Sequence, residues 1–309
     1  MEKPPATLQS GERRAYKAHR ANSCKSRKAD SCKAFIAWVV KQVREHKWSL
    51  DACCGCAKRQ CLFSENEMVC THTLYNMVWD GLLPIKVTEL PEALKRKGRK
   101  SKDRENKKRY GTSISDRPEI AAQRMEKGHW EGDTVVGKRA GHEAVVLTLL
   151  EKKTENYLAI RIPGKTSKAV MDAMAALRAE YGQHFPQVFK TITVDNGSEF
   201  ADFAQTEAWG SKVFFAHPYT SWERARNERH NGLFRSFVPK GVSIELFTDE
   251  DILAAADELN GRPRRKLGYC TPEELFEAFL DTVYALRSLT AAPAPLSGRA
   301  SGSIRDQGL

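Results

Sequence analysis

The sequence contains no long hydrophobic run. No segment reaches the length of about 18 consecutive apolar residues that a transmembrane helix requires. The first ten residues also lack the apolar stretch of a secretory signal. The sequence therefore predicts no membrane-spanning segment and no membrane partner, and it predicts a cytoplasmic protein.

A complete zinc-finger pattern is also absent, although the chain has eight cysteines. Cys53 and Cys56 form one CxxC pair, and no second CxxC or HxxxH pair follows to complete a four-ligand site. Cys53 and Cys54 fall where an amphipathic helix places small apolar residues, a role that free cysteine fills well. In a reducing cytoplasm we expect these side chains to be free thiols.

The net charge of +11 is concentrated in two segments. Residues 95–109 hold ten Lys or Arg against two acids, a net charge of +8, and residues 1–31 hold eight against three, a net charge of +5. Such a segment is either a solvated linker or an arm that contacts DNA phosphates and releases their counterions. The candidate phosphate contacts in the first segment are Lys97, Arg99 and Lys100.

Changes of pattern divide the chain into five parts. Residues 1–30 are basic and polar, without a hydrophobic period, and residues 31–90 predict short helices. Residues 91–127 form a basic linker, and residues 128–288 alternate strand and helix patterns. Residues 289–309 are rich in Ala, Pro, Ser and Gly, which predicts a disordered tail.

Three helices are predicted between residues 31 and 90. Apolar residues from Phe35 to Val43 recur at helical spacing, and Ser49 suits the N-cap of a second helix. A third helix begins near Thr71 and ends before Gly81. The arrangement is typical of a helix-turn-helix unit or of a plain three-helix packing module. In the first case the third helix contacts DNA through His72, Thr73 and Asn76.

Residues 128–288 predict an α/β domain. Strands at 130–136, 144–150 and 157–162 form a meander, and a helix follows to residue 181. A strand ending at Val194, a helix, a short strand near 213–216 and a helix at about 222–237 complete the pattern, with further helices at 249–260 and 272–288. This element order is that of the ribonuclease-H-like fold, a mixed five-stranded sheet flanked by helices.

Three carboxylates occupy positions suited to metal binding within this pattern. Asp195 follows a strand at an Asn-Gly turn, where α/β folds place their ligands. Asp133 precedes it with 61 residues between them, and Glu228 follows it on a helix after 32 intervening residues. Phosphoryl transfer on DNA uses two Mg²⁺ ions about 3.5–4 Å apart, held by oxygen ligands. We therefore expect these three residues to hold two Mg²⁺ ions, for which Mn²⁺ can substitute.

Other acidic residues compete for the same roles. Glu223 lies five residues before Glu228, which turns it about 140° away on an ideal helix. We expect it to pair with a neighbouring arginine. Glu199 and Glu131 are expected to support the site or to serve the structure, because each lies close to one of the two aspartates in sequence.

At these residues the sequence resembles the transposases typified by insertion sequence 30, within the integrases that share a ribonuclease-H-like core. The matching blocks include Gly-His-Trp-Glu-Gly-Asp at 128–133, Asp-Asn-Gly-Ser-Glu-Phe at 195–200, Asn-Glu-Arg-His-Asn-Gly at 227–232 and Pro-Lys-Gly at 239–241. The resemblance extends over residues 31–280 and is strongest from residue 128.

The resemblance implies a DNA transposase. Such an enzyme binds the terminal inverted repeats of its element, cuts the DNA with metal-activated water and joins a 3′-hydroxyl to target DNA. The family's Asp-Asp-Glu triad carries over to Asp133, Asp195 and Glu228, with Asp195 as the ligand that bridges both metals. A homo-oligomer on DNA and a location at the bacterial nucleoid are also implied.

Further basic and polar residues match DNA-contacting positions of the family. Asn231, Arg235 and Lys240 resemble positions near the DNA backbone, although a solvated helix face explains them equally well. A second basic cluster lies at Arg262, Arg264 and Arg265, where we expect phosphate contacts.

Two features depart from the family's pattern. Residues 1–30 show no additional N-terminal helix-turn-helix of the kind that members usually carry, and Ala225-Arg226 replaces a Gly followed by a small residue. The first departure leaves open a truncated, catalytically silent DNA-binding remnant that regulates its own element. A general nuclease without preference for element ends is a third alternative.

Overall fold

The computed structural model describes residue 15 and residues 31–90, 110–138, 143–217 and 221–290. Lys97, Arg99 and Lys100 lie outside these residues, as does nearly all of the N-terminal segment. Residues 291–309 of the predicted disordered tail also lie outside them, whereas Leu289 and Thr290 are the last residues of a helix. Two units share the described chain. The first contains residues 31–90 and 261–271, and the second contains the other residues from Tyr110 onward.

Three helices form the first unit, as predicted: α1 (Lys33–His46), α2 (Leu50–Arg59) and α3 (Thr71–Trp79). Phe35, Val39 and Val43 recur at helical spacing on α1 and are completely buried against the other two helices. The Ser49 hydroxyl caps α2 by accepting a hydrogen bond from the backbone N–H of Ala52 at 3.1 Å. The apolar stripe and the cap therefore define these helices.

Residues 261–271 pack within this first unit, whereas the sequence predicts them inside the catalytic domain. The Tyr269 ring lies directly over Gly55 of α2, where an added Cβ would come within 2.0 Å of the ring. The Tyr269 hydroxyl also reaches the Asp51 carboxylate at 3.4 Å. Only a glycine at position 55 admits the ring, so this long-range contact assigns the segment to the helical unit.

The second unit begins inside the predicted basic linker. A 3-10 turn (Ile114–Asp116) and the short helix α4 (Glu119–Gln123) occupy residues that were expected to belong to this linker. Ile114 is buried, and Ser113 forms a bridge with Phe215 of the sheet. The described part of the linker, from Tyr110 to Lys127, is therefore packed structure and not a solvated connection.

A five-stranded mixed sheet forms the centre of the second unit, and it confirms the predicted α/β, ribonuclease-H-like fold class. Its strands are β1 (His129–Val136), β2 (Val145–Glu151), β3 (Tyr157–Ile162), β4 (Thr191–Val194) and β5 (Lys212–Phe215). The spatial order is β3-β2-β1-β4-β5. The first three strands are antiparallel, and β4 pairs in parallel with both β1 and β5.

Helices cover both faces of this sheet. The remaining helices are α5 (Ser167–Tyr181), α6 (Phe185–Val188), α7 (Ala225–Phe234), α8 (Asp249–Asn260) and α9 (Pro272–Thr290). Alternate residues of β2 point to opposite faces. Leu147 and Leu149 pack with α5 and α9, whereas Val146 and Leu150 pack with α7 and α8.

The segment between β4 and β5 is tighter than an α-helix. A helix was predicted over 202–209, and the structure has a 3-10 helix at Phe203–Trp209. Gly210 then adopts a left-handed conformation (φ 92°) that ends this 3-10 helix before β5.

Among the described helices of both units, none has the length and apolar character needed to cross a membrane.

Candidate active site

Asp133 on β1 and Asp195 directly after β4 lie close together, since the Arg224 guanidinium reaches both carboxylates. The parallel register of β1 with β4 ends at the pair of Glu131 with Thr193; Asp133 lies two residues further along β1, and Asp195 lies one residue beyond the end of β4. Side chains at odd positions of β1 face α7 and α8, since Val135 packs in that core. The sheet therefore presents both carboxylates toward α7, the helix that carries Glu228.

The Asp133 carboxylate is held by two hydrogen bonds. Its Oδ2 accepts from Nδ2 of Asn231 on α7 at 2.9 Å, and its Oδ1 accepts from the backbone N–H of Thr134 at 2.8 Å. The side chain is 20% exposed. Both oxygens therefore have fixed directions before any ligand arrives.

The Asn231 amide is itself oriented by two hydroxyls. Tyr157 donates to Asn231 Oδ1 at 2.8 Å, and Thr148 donates to the same oxygen at 3.2 Å. Burial raises the pKa of Tyr157, so that its hydroxyl keeps its proton. With the amide oxygen taken by two donors, the amide nitrogen is the group that faces the carboxylate. Asn231 is therefore directed at Asp133, and its contact with the DNA backbone stays a prediction.

Burial also changes the pKa of the Asp133 carboxyl. It raises the pKa of this carboxyl above its ordinary value, and the nearby carboxylates of Asp195 and Glu199 raise it further. The Arg224 guanidinium and the Thr134 N–H oppose that shift. A group under such opposing influences is characteristic of a functional site.

Asp195 stands at the end of β4, at the predicted Asn-Gly turn. Its Oδ1 accepts from the backbone N–H of Gly197 at 3.0 Å, and its side chain is 37% exposed. Arg224 lies between the two aspartates, with Nη2 at 3.4 Å from Asp195 Oδ2 and Nη1 at 3.9 Å from Asp133 Oδ1. Arg224 Nη1 also donates to the carbonyl of Gly132 at 2.9 Å.

Glu199 is a third carboxylate beside these two, and it is the most deeply buried of the three. It is 2% exposed, and its Oε1 accepts from the Thr134 hydroxyl at 3.0 Å and pairs with the Lys165 ammonium at 2.9 Å. Gly197 makes room for it, because an added Cβ there would lie 2.4 Å from Glu199 Oε2. Glu199 thus holds the turn after Asp195 against β1, which is consistent with the supporting role predicted for it.

Glu131 and Lys152 form a buried ion pair beneath the site. Their side chains are 1% and 2% exposed, and the Nζ–Oε1 distance is 3.6 Å. Burial lowers the pKa of Lys152 to about 8, and the neighbouring Glu131 opposes that shift. The structural role predicted for Glu131 is therefore one half of this pair.

Glu223 contacts His217, and its predicted pairing with a neighbouring arginine stays a prediction. Glu223 Oε1 lies 2.7 Å from His217 Nδ1, and Glu223 Oε2 accepts from the His217 backbone N–H at 2.9 Å. The Ser113 hydroxyl lies 3.2 Å from the other ring nitrogen. These contacts tie the segment before α7 to the residues that follow β5, away from the two aspartates.

Glu228 is exposed on the first turn of α7. It lies three residues before Asn231, which separates their directions by about 60° around the helix. Within the ranges that the structure describes, no three His, Cys, Asp or Glu side chains are grouped so that they could hold a metal ion. Asp133 and Asp195 are therefore brought together as a pair, and Glu228 as the third ligand stays a prediction.

Comparison with known proteins identifies the family. Residues 123–221 match the family described as integrase core domain, a span that includes Asp133 and Asp195 and ends before Glu228. A probable transposase for insertion-like sequence element IS1161 from Streptococcus salivarius is 38% identical over 67% of this chain. The chain belongs to the transposases of the insertion sequence 30 family.

Two further relatives support this family assignment. The transposase for insertion sequence element IS4351 from Bacteroides fragilis is 33% identical over 69% of the chain. The transposase InsI for insertion sequence element IS30A from Escherichia coli strain K12 is 29% identical over 86% of the chain and 72% of its own length. The aligned chain spans 58% of the Streptococcus relative and 65% of the Bacteroides relative.

The other DNA-contact candidates of this transposase-family chain differ in accessibility. On α3, His72 and Asn76 are exposed and lie 3.3 Å apart through their side chains, with Thr73 half-buried beside them. In the second unit, Lys240 is exposed, whereas Arg235 donates to the Val136 carbonyl at 2.7 Å. Arg235 is therefore turned toward β1, and the solvated helix face proposed as its alternative does not describe it.

The three arginines of the second basic cluster also differ in how accessible their side chains are. Arg265 is exposed, Arg264 is half-buried and Arg262 is 9% exposed. A phosphate approaching this segment therefore meets Arg265 first, and Arg262 is the least accessible of the three. Phosphate contacts at the cluster remain a prediction.

Two residues of the site were missed by sequence reasoning. Arg224 belongs to the Ser-Trp-Glu-Arg block at 221–224, and its position just before the helix of Glu228 was the available signal. Lys165, which pairs with Glu199, precedes α5 in a polar turn and offers no such signal.

Proposed function

We propose that this protein is a DNA transposase that cuts DNA at the ends of an insertion sequence and joins those ends to target DNA. The observation that carries the proposal is the closeness of Asp133 on β1 to Asp195 at the end of the adjacent parallel strand β4, where Arg224 contacts both carboxylates, inside an integrase core. Adjacent carboxylates at this edge of a ribonuclease-H-like sheet supply oxygen ligands where a DNA phosphate can approach.

The donor chemistry of the site suits a hard divalent cation. Asp133 and Asp195 present carboxylate oxygens that already accommodate one cationic group, the Arg224 guanidinium. Asp133, Asp195 and Glu228 would hold two Mg²⁺ ions, for which Mn²⁺ would substitute. When bound, such ions lower the pKa of a water or hydroxyl nucleophile and stabilise the leaving oxygen.

The chain's own residues would position this chemistry. Asn231 and the Thr134 N–H fix the direction of the Asp133 carboxylate, and the Gly197 N–H fixes that of Asp195. Water attacks a phosphorus at the element's end and breaks the bond to the 3′ oxygen, which leaves as a 3′-hydroxyl. That hydroxyl then attacks a phosphorus of target DNA and displaces its 3′ oxygen. Both nucleophiles are external, so no covalent protein intermediate is required.

The DNA partners in this proposal are the terminal inverted repeats of the element and a target duplex. We assign DNA contacts to residues of three regions, which are the third helix of the first unit, the basic segment at residues 95–109 and the second basic cluster, and to three further residues of the second unit. The residues are His72, Thr73, Asn76, Lys97, Arg99, Lys100, Asn231, Arg235, Lys240, Arg262, Arg264 and Arg265. We further propose a homo-oligomer on DNA and a nucleoid-associated, cytoplasmic location.

A cleavage assay tests the proposal. A labelled duplex that carries the inverted repeat from beside the gene is incubated with the protein and Mg²⁺, and then with a target plasmid. We expect nicks with 3′-hydroxyl ends at the repeat, joined products with the plasmid and no reaction in EDTA. Binding without a metal-dependent product would favour a silent remnant, and cleavage without preference for the repeat would favour a general nuclease.

A matched pair of substitutions tests the third ligand. Glu228→Gln should abolish cleavage, while Glu223→Gln, which alters the contact with His217, should retain most of it. Equal loss in both variants, or loss in Glu223→Gln alone, would remove Glu228 from the assignment.

A further inference from the structure

The Arg224 guanidinium occupies the space between the two aspartates. One of its terminal nitrogens lies 3.4 Å from Asp195, and the other lies 3.9 Å from Asp133 and donates to the Gly132 carbonyl at 2.9 Å. The side chain is only 11% exposed. Arg224 is therefore packed into the site, and its position is fixed by a main-chain contact as well as by the two carboxylates.

The position of this cation has an electrostatic reason. Asp133 and Asp195 would repel each other, and the Asp195 charge contributes to the raised pKa of Asp133. Lys165 does not relieve this repulsion directly, because it pairs with Glu199 at 2.9 Å. The planar guanidinium has donors on both sides and can neutralise two carboxylates at once.

The contacts of Arg224 with the carboxylates are nevertheless long. Charge-assisted hydrogen bonds of this type are about 2.7–2.9 Å when well formed, and both distances exceed that range. The shortest contact of the guanidinium is the one with the Gly132 carbonyl. Arg224 therefore neutralises the aspartates without forming short hydrogen bonds to their oxygens. A cation that binds these oxygens more tightly can displace it.

We propose that Arg224 is a built-in counter-ion that closes the site in the absence of metal, and that a divalent cation must displace it to bind Asp133 and Asp195. This inference rests on the proposed function, which assigns metal binding to the same two carboxylates. Two cations that share the same oxygens exclude each other, so the guanidinium lowers the affinity of the site for metal. Removal of the guanidinium therefore strengthens metal binding, although it also removes the charge that neutralises the two carboxylates when no metal is bound.

Calorimetric titration of the full chain with Mn²⁺ in the absence of DNA tests this competition. Arg224→Gln should bind Mn²⁺ more tightly than the wild type, by a factor within the roughly 5- to 150-fold range of coupled binding events. Arg226→Gln is the matched control, since Arg226 pairs with the buried Glu155 at 3.2 Å and makes no ion pair with either aspartate. Its dissociation constant for Mn²⁺ should stay within twofold of the wild-type value by the same reasoning.

Asp195→Asn, titrated in parallel, separates this inference from the proposed function. If Asp195→Asn loses Mn²⁺ binding and Arg224→Gln binds with the wild-type or a weaker affinity, the inference is overturned and the metal site stands. If neither the wild type nor Arg224→Gln binds Mn²⁺, or if Asp195→Asn binds normally, the metal assignment fails and the inference fails with it.

A second measurement uses the wild-type protein, so that it does not depend on the folding of Arg224→Gln. The Nε–H resonance of Arg224, assigned by its loss in Arg224→Lys, should move on titration with Mg²⁺ and saturate with the site. The corresponding resonance of Arg226 should stay in place. An Arg224 resonance that does not move at saturating Mg²⁺ would contradict displacement.

Discussion

Asn231 donates a hydrogen bond to Asp133 across 2.9 Å, which links α7 to the central strand of the sheet. The same amide accepts from the hydroxyls of Tyr157 and Thr148. Four residues from three strands and one helix therefore form a single hydrogen-bonded group around one carboxylate. This group makes the orientation of Asp133 a property of the folded core, independent of any bound ligand.

Asn231→Ala should lower the rate of DNA cleavage. Loss of a hydrogen-bond partner behind a metal-binding carboxylate typically costs about 10- to 100-fold in activity or metal affinity. We expect the effect in kcat, with the Kd for DNA unchanged, because Asn231 faces Asp133. Thr148→Ser keeps the hydroxyl and should retain activity. A normal kcat with weakened DNA binding would instead support the contact with the DNA backbone that the sequence predicts.

Gly197→Ala should destabilise the second unit. The new methyl would lie 2.4 Å from Glu199 Oε2 and displace a buried carboxylate from Lys165 and Thr134. Overpacking of this kind costs about 1–3 kcal/mol of unfolding free energy. Gly232→Ala is the control, because open space surrounds that position of α7 and alanine stabilises a helix interior by about 0.5–1 kcal/mol. Urea unfolding should give opposite signs for the two changes, and a common sign would contradict the packing described.

The buried pair of Lys152 and Glu131 should make stability depend on pH. The pKa of Lys152 is lowered to about 8 in the folded protein from an ordinary value of 10.5. The unfolded chain therefore binds more protons between these two values, so the unfolding free energy rises with pH across that window.

The double variant Glu131→Gln/Lys152→Met provides the reference for this pH effect. From pH 8 to pH 9.5 the wild type should gain up to about 2 kcal/mol relative to it. Urea unfolding of both proteins at the two pH values measures the difference. A constant difference, or one that falls with pH, would contradict the lowered pKa.

The basic segment at residues 95–109 should control the salt dependence of DNA binding if it is an arm that contacts phosphates. Replacing Lys97, Arg99 and Lys100 by Gln removes three positive charges, and each neutralised phosphate contributes about 0.9 to the slope of log K against log salt. We expect a slope that is shallower by about 2.7 for the triple variant. Lys212→Gln, at the exposed start of β5, should leave the slope unchanged. An unaltered slope in the triple variant would identify the arm as a solvated linker.

Much of the fold follows from local pattern. The apolar spacing in α1, the Ser49 cap and the alternation along β2 each act within a few residues, so they define helices and strands directly from the sequence. The position of Asp195 follows in the same way, since the strand pattern ends one residue before it. The pairing with Asp133 then needs only the parallel order of the two strands.

Other features depend on contacts between distant parts of the chain. Whether Glu228 or Asn231 faces Asp133 depends on how α7 enters the site, and two polar residues about 60° apart on one helix do not reveal it. The Tyr269 ring over Gly55 joins segments that no periodicity relates. The position of Arg224 follows from the repulsion between two carboxylates, which becomes visible only when the strands are side by side.

The most direct test of this account is DNA cleavage and joining by Asp195→Asn. The substitution keeps the shape of the side chain and removes the charge on which metal binding would depend. With a terminal-repeat duplex and Mg²⁺ or Mn²⁺, we predict no nicked or joined product, together with a thermal unfolding profile that shows a folded protein. Cleavage and joining at the wild-type rate by that folded variant would contradict the assignment of Asp195 and the mechanism built on it.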